Sequence, residues 1–310
     1  MQKEAHIAGI AFSIIFGFTF MFSKTALSYV TPIGLIAYRF LTAFLVFELI
    51  RRLKLITVRF EKAHLNDLLM VALFQPVLYF LLETFGLNLT TSAEAGMMIA
   101  LIPIFTTVLG SLILKERPKV VQIPFILMSV GGIVFIQLFK SGSAVDMQLL
   151  GFFLLFGAVV SAALFNIFSR KASTNPKPHE LTYFMMLVGA AVFNTIYLIQ
   201  LMMGEGIGTY ITNLYHIEIV LPILYLGTIA SMGGFFLVNY ALSRLEAHVI
   251  SVYANFATIV AVTAGALFLN EALEYYHFIG AAMIIIGVYG TVRLNNGKSR
   301  RAKRLFNRQK

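Results

Sequence analysis

The sequence predicts an all-α integral membrane protein, with ten transmembrane helices arranged as two inverted five-helix repeats. Three observations predict it. The 310 residues are 59% hydrophobic and 12% charged, with a mean hydropathy of +0.84, whereas a soluble domain carries about 25% charged residues. Apolar stretches of about 20 residues, the length that crosses a hydrocarbon core, recur along the whole chain. The second half also repeats the pattern of the first.

The expected spans are 7–28, 33–50, 66–87, 93–114, 120–139, 148–169, 180–203, 218–242, 248–269 and 276–293. Thr31-Pro32 separates the first from the second, and the charged run "RRLKLITVRFEK" at 51–62 separates the second from the third. "KERPK" at 115–119 closes the fourth, "STNPKP" at 173–178 the sixth, and "MGEGIG" at 203–208 the seventh. The first span is not a cleavable signal peptide. It lacks a charged n-region ahead of a short apolar core and a small-residue cleavage site, and it carries Lys24 near its far end.

Charge placement orients the spans. Alternate loops hold Lys3, then Arg51, Arg52, Lys54, Arg59 and Lys62, then Lys115, Arg117 and Lys119, then Arg170, Lys171 and Lys177, then Arg244 and the tail from Arg293. The opposite loops hold only Lys140. By the positive-inside rule both termini are cytoplasmic, and the chain is expected as a multi-pass protein of the cytoplasmic membrane. The basic tail 294–310 then acts as topology signal and contact for anionic lipid, not as a nucleic-acid site. No cysteine is present and the six histidines show no metal-ligand spacing, so thiolate metal sites are excluded and no cofactor is expected.

Residues 75–140 and 230–295 align without a gap at an offset of 155. Gly110 then meets Gly265, Leu112 meets Leu267, Leu114 meets Leu269, Glu116 meets Glu271, and Gly132 meets Gly287. Nearer the start of each half an offset of 146 sets Ser23-Lys24 on Ser169-Arg170 and Pro32 on Pro178. Each half has an odd number of spans, so the second is inserted upside down relative to the first. The expected units are 7–139 and 148–293. Inverted repeats of this kind build carriers whose midplane site opens alternately to either side.

These halves resemble the two tandem domains of the drug/metabolite transporter superfamily, EamA-like branch. The resemblance is carried by Pro32 and "YRF" at 38–40, by "TSAEAGMMIALIPIFTTVLGSLILKERP" across span 4, and by "HVISVYANFATIVAVTAGALFLNEAL" followed by "GAAMIIIGVYG" in the second half. It covers nearly the whole chain. Pro103 in span 4 has Thr258 as its counterpart, and Phe16-Gly17 stands where Trp-Gly is more usual. The resemblance implies a ten-helix carrier of small metabolites, with a cavity lined by spans 1, 3, 4, 6, 8 and 9.

Polar residues inside the spans must face protein or water, because an unsatisfied polar group in hydrocarbon costs several kcal/mol. Gln75, Tyr79 and Glu83 form an i, i+4, i+8 row on span 3, and Ser251, Asn255 and Thr258 form another on span 9. Asn166 on span 6 and Asn239 on span 8 add amides, and Phe16, Phe235 and Tyr253 sit where a cavity wall would run. Hydrogen bonding between helices explains Ser13, Ser161, Ser169 and Thr258 more simply than substrate contact.

Four ionisable groups, Lys24, Arg39, Glu83 and Glu94, share one depth on four consecutive helices, and their charges sum to zero. That matching predicts mutual pairing. The repeat supplies a control: Lys24 corresponds to Arg170, but Arg39, Glu83 and Glu94 correspond to Met185, Val238 and Val249. The asymmetry points to a role specific to one side, either as a gate or as a site for substrate or proton. Glu116 and Glu271 recur just beyond a span in both halves, which fits helix-end capping. The residues expected to bind substrate or gate are therefore Lys24, Arg39, Gln75, Tyr79, Glu83, Asn166, Asn239, Tyr253 and Asn255.

The functional expectation is a secondary carrier for a small polar or zwitterionic metabolite, such as an amino acid, working by alternating access and in the direction of export. The chain is not expected to be an enzyme, since no nucleophile-base constellation is visible, and no Walker motif offers direct ATP drive. Glu83 could carry a coupling proton, and uniport or exchange fits equally well. Monomer and homodimer both fit the sequence. A sugar-phosphate or other organic-anion carrier is the alternative, with Lys24 and Arg39 as ligands, although Glu83 and Glu94 would repel a dianion. A non-transporting membrane interaction or assembly protein is the second alternative.

Overall fold

Hydrocarbon offers backbone groups no hydrogen-bond partner, so a chain this apolar must satisfy them internally, and helices do so within one segment. The computed structural model is helical throughout its regular elements. It describes residues 2–58, 60, 64–113, 120–139, 145–172, 177–204, 206–245, 247, 250 and 253–295. Lys140, Glu116, Ser251 and the basic tail beyond residue 295 lie outside the described residues, as does the side chain of Asn255.

In chain order the helices are α1 (Gln2–Leu27), α2 (Pro32–Arg52), α3 (Leu65–Asn88), α4 in two pieces (Ser92–Ile99 and Ile102–Ile113), α5 (Ile123–Phe139), α6 (Val145–Ala172), α7 (Pro178–Met203), α8 (Ile217–Leu242), α9 (Ala254–Phe268) and α10 (Tyr275–Asn295). Among the described residues seven are long and apolar enough to cross a membrane, and the shorter apolar helices Ile123–Ile136, Phe256–Phe268 and Tyr275–Gly290 lie at the expected fifth, ninth and tenth spans. Length alone therefore supports seven of the ten expected crossings.

Among the described residues three helices are interrupted. In α3 the helix kinks within Leu73–Leu78, where Gln75 is extended at φ −151°, ψ 114°. Pro76 causes this: it has no N–H to donate, and its ring pushes the preceding residue out of the α region. In α4 the two pieces part at Ala100 and Leu101, just ahead of Pro103. In α8 a π segment runs from Tyr225 to Gly234. The repeat offset carries 73–78 onto 228–233, so the kink of α3 and the π segment of α8 occupy equivalent places.

The packing partners exchange between halves. α1 packs on α9 and α8, while α6, its counterpart, packs on α4 and α3; α2 packs on α8 while α7 packs on α3. The pairs α2–α7, α4–α9 and α5–α10 each join a helix to its own counterpart. A two-fold relation between the halves produces this pattern. Because lipid is as apolar as a leucine side chain, hydrogen bonds and close contact hold such helices together. Ser161 Oγ donates to the Phe74 carbonyl (2.8 Å), Ser129 Oγ to Ile284 (3.1 Å) and Thr258 Oγ1 to Gly96 (2.7 Å). Ser13 bonds within its own helix, to the Ile10 carbonyl.

Helix ends are tied across the structure by charge. Lys24 Nζ donates to the carbonyls of Leu87 (2.9 Å) and Thr90 at the C-terminal end of α3. Its repeat counterpart Arg170 donates to the Leu242 carbonyl (2.7 Å) at the C-terminal end of α8. The offset of 155 sets Leu87 on Leu242, so the same cation caps the same helix end in both halves, where the helix dipole favours positive charge.

Candidate functional site

Between the halves lies a cavity of about 80 Å³, several times the space that one water needs. α1, α2, α3, α4, α6, α8 and α9 all contribute to its wall, and Ile250 precedes α9. The break in α4 borders it through Ile99 and Ile102. Irregular backbone at membrane depth is tolerated where it is enclosed by protein or lines such a space.

One pole of the cavity is ionic. Arg39 on α2 is 4% exposed and Glu83 on α3 is 2% exposed, and both line the space. The Arg39 guanidinium donates from Nε to Ser231 Oγ at 2.7 Å and lies 4.3 Å from the centroid of the Phe80 ring. Ser231 belongs to the π segment of α8, so one turn of that helix fixes the cation. Glu83 accepts from Thr84 Oγ1 at 3.1 Å. Arg39 and Glu83 lie within electrostatic reach of one another, yet among the described residues no hydrogen bond or ion pair joins them. Holding an ionised group at this depth costs about 3 kcal/mol on insertion scales.

The other pole is aromatic. Phe235 is the hub, with ring centroids 5.1 Å from Phe16, 5.9 Å from Phe80 and 6.2 Å from Phe165. Phe12 continues the wall, 5.7 Å from Phe16. Phe80 joins the two poles, meeting Arg39 with its face and Phe235 edge-on. Tyr79 and Asn166 are the further polar residues that line the space beside Thr19; Asn166 Nδ2 reaches Thr106 Oγ1 at 3.5 Å.

Of the residues expected from the sequence, Arg39, Tyr79, Glu83 and Asn166 thus meet at one cavity, as do Phe16 and Phe235. Gln75, Asn239, Tyr253 and Lys24 sit elsewhere, and the side chain of Asn255 lies outside the described residues. Gln75 is buried at the α3 kink, because Pro76 breaks the row that Gln75, Tyr79 and Glu83 would form on a regular helix. Asn239 is enclosed between helices; it donates to Thr182 Oγ1 (2.9 Å) and accepts from Ser169 Oγ (2.9 Å). The Tyr253 hydroxyl meets His6 Nδ1 at 2.7 Å, beyond Phe12. Lys24 caps α3.

Glu94 serves its own helix, closing a capping box with Thr91, and faces His277 Nε2 at 3.8 Å. The four charges of similar depth therefore divide by surroundings: two line the cavity and two serve helix ends. Glu271 also serves a helix end, but that of the opposite half. Its carboxylate accepts from the Ser92 amide and hydroxyl (both 2.8 Å) and from the Ala93 amide (3.0 Å) at the start of α4. A Cβ at Gly265 would collide with Glu271 and with Ser92, so the glycine six residues before the glutamate makes room for this cap.

The sequence reading passed over Ser231, Phe80 and Phe165. The adjacency of Phe80 to Tyr79 was the available signal for Phe80; for Ser231 there was none, since its role depends on which helix packs against Arg39.

The family model for the EamA-like transporter family, as described, matches this chain twice, at residues 3–138 and 149–293. The chain belongs to the EamA-like transporter family. The two matches are the two repeats of this EamA-like protein. Among its relatives, "Uncharacterized transporter YcxC" of Bacillus subtilis (strain 168) is 38% identical over 290 residues, covering 94% of this chain and 93% of its own. "Probable amino-acid metabolite efflux pump" of Escherichia coli (strain K12) is 27% identical over 300 residues, covering 93% and 95%. A solved crystal structure at 17% identity matches with a TM-score of 0.67, covering 95% of this chain and 98% of the other, and this shows the fold. The EamA-like protein is thus a multi-pass membrane transporter.

Proposed function

We propose that this EamA-like transporter carries a small zwitterionic metabolite, an amino acid or related compound, and that the substrate sits in the central cavity. The observation that carries this reading is the pairing of Arg39 and Glu83 in one enclosed space without a direct bond between them. A guanidinium there offers a carboxylate two parallel donors, and a carboxylate offers an ammonium its acceptor. A zwitterion brings both counter-charges at once and leaves the cavity neutral. A dianion such as a sugar phosphate would meet Glu83 as well as Arg39, which disfavours it. The name of the Escherichia coli relative supports amino-acid compounds and the direction of export.

Alternating access follows from two related halves that share the cavity wall. Basic loops on one side support a cytoplasmic position for both termini.

The test is a thermal-shift screen of the purified protein against amino acids, organic cations, nucleosides and sugar phosphates, with wild type and Glu83→Gln. Stabilisation by amino acids in wild type, lost in Glu83→Gln, is the expected result. Stabilisation by sugar phosphates, or by amino acids equally in both proteins, would overturn the assignment of the ammonium to Glu83.

A further inference from the structure

The cavity has six phenylalanines in its wall, and five of them, Phe12, Phe20, Phe80, Phe165 and Phe235, are at most 5% exposed. Phe16 is the exception. It is only partly buried, and it lines the cavity with them. The seat of its ring is also particular. The edge of Phe16 lies directly on Gly234, where a Cβ would overlap the ring and nothing else would come as close. Gly234 ends the π segment of α8, three residues after Ser231, the residue that holds Arg39. Residues three apart in a π segment fall within a single turn. One turn of α8 therefore positions the cation at the ionic pole and seats the movable wall at the aromatic pole.

We propose that Phe16, seated on Gly234, sets the size of the apolar side chain that the transported zwitterion can carry. This rests on the reading that a zwitterion occupies the cavity. With its charged head held between Arg39 and Glu83, the substrate's side chain must point along Phe80 toward Phe235 and end against Phe16. Withdrawing the Phe16 ring onto the glycine lengthens that arm; lifting the ring off the glycine shortens it. Shape exclusion of this kind discriminates by about 10- to 200-fold per methylene.

The test uses the full chain in detergent and a series of L-amino acids of rising side-chain size, alanine, valine, leucine, phenylalanine and tryptophan. Affinities are read from thermal shift against concentration, for wild type, Gly234→Ala, Phe16→Ala and the double variant. Gly234→Ala lifts the ring into the cavity, so binding of phenylalanine falls relative to alanine by about tenfold or more. Phe16→Ala moves the preference to larger side chains. The double variant regains the large ligands that Gly234→Ala lost, because the ring that the new methyl displaced is gone.

Ratios between ligands within one protein are unaffected by a loss of overall stability. An unchanged rank order across all four proteins would overturn the role of Phe16 while leaving the zwitterion site standing. A wild-type protein that binds none of the amino acids would overturn both.

Discussion

Glu271→Ala is expected to loosen the contact between the two halves by an amount that can be worked out bond by bond. The carboxylate takes three hydrogen bonds from the first turn of α4, and Ser92 and Ala93 are 0% and 1% exposed, so water cannot readily replace it. A hydrogen bond to a charged group contributes about 1.5–3 kcal/mol, and loss of a helix N-cap costs about 0.5–2 kcal/mol. The three bonds share one carboxylate and do not add, and the Thr91–Glu94 capping box still serves neighbouring donors. The net cost should be about 3 kcal/mol for alanine. Glutamine keeps one acceptor oxygen and places an NH2 group against a donor, for a cost of about 1–2 kcal/mol.

At about 2–4 °C per kcal/mol, the alanine variant should melt about 6–12 °C below wild type, with glutamine between them. Melting would be followed as the fraction of monodisperse protein after heating in detergent, with Glu274→Gln, an exposed neighbour, as control. Glu271→Ala melting within about 1 °C of wild type would refute the reasoning that this cap carries a buried contact between the halves.

Other substitutions separate structural from binding roles. Lys24→Met and Arg170→Met should each lower the melting temperature by an amount equivalent to about 1 kcal/mol, while exchanging Lys24 for Arg should be near neutral; unequal effects in the melting assay would break the symmetry between the two caps. Asn239→Leu strands the hydroxyl partners of a fully buried amide and should cost about 1–2 kcal/mol, without altering the rank order of ligands. Arg39→Lys keeps the charge but loses both the Nε donor to Ser231 and the planar face over Phe80. It should weaken ligand binding by about tenfold in the same thermal-shift titration, and unchanged affinity would remove Arg39 from the site.

Much of this architecture is local and therefore legible along the chain. Apolar length and the offset of 155 mark the helices and the two repeats, because each depends only on spacing or composition. The repeat control separated Lys24, which has a charged counterpart in Arg170 and caps a helix end, from Arg39 and Glu83, which have none and line the cavity, but it misled for Glu94, which has none and closes a capping box on its own helix. Gln75 was misplaced in a regular row because the row assumes 3.6 residues per turn, and Pro76 denies α3 that turn.

What a side chain meets across a helix interface lies beyond any periodicity. Which helix packs against Arg39, and so brings Ser231 to its guanidinium, follows from how α2 and α8 approach. That Phe16 rests on Gly234, and that Glu271 reaches the start of α4, likewise depend on contacts between residues 218 and 179 positions apart. In lipid the apolar surface alone barely distinguishes one helix pairing from another. Close fit and a few hydrogen bonds settle the pairing, and these exist only once the helices are in place.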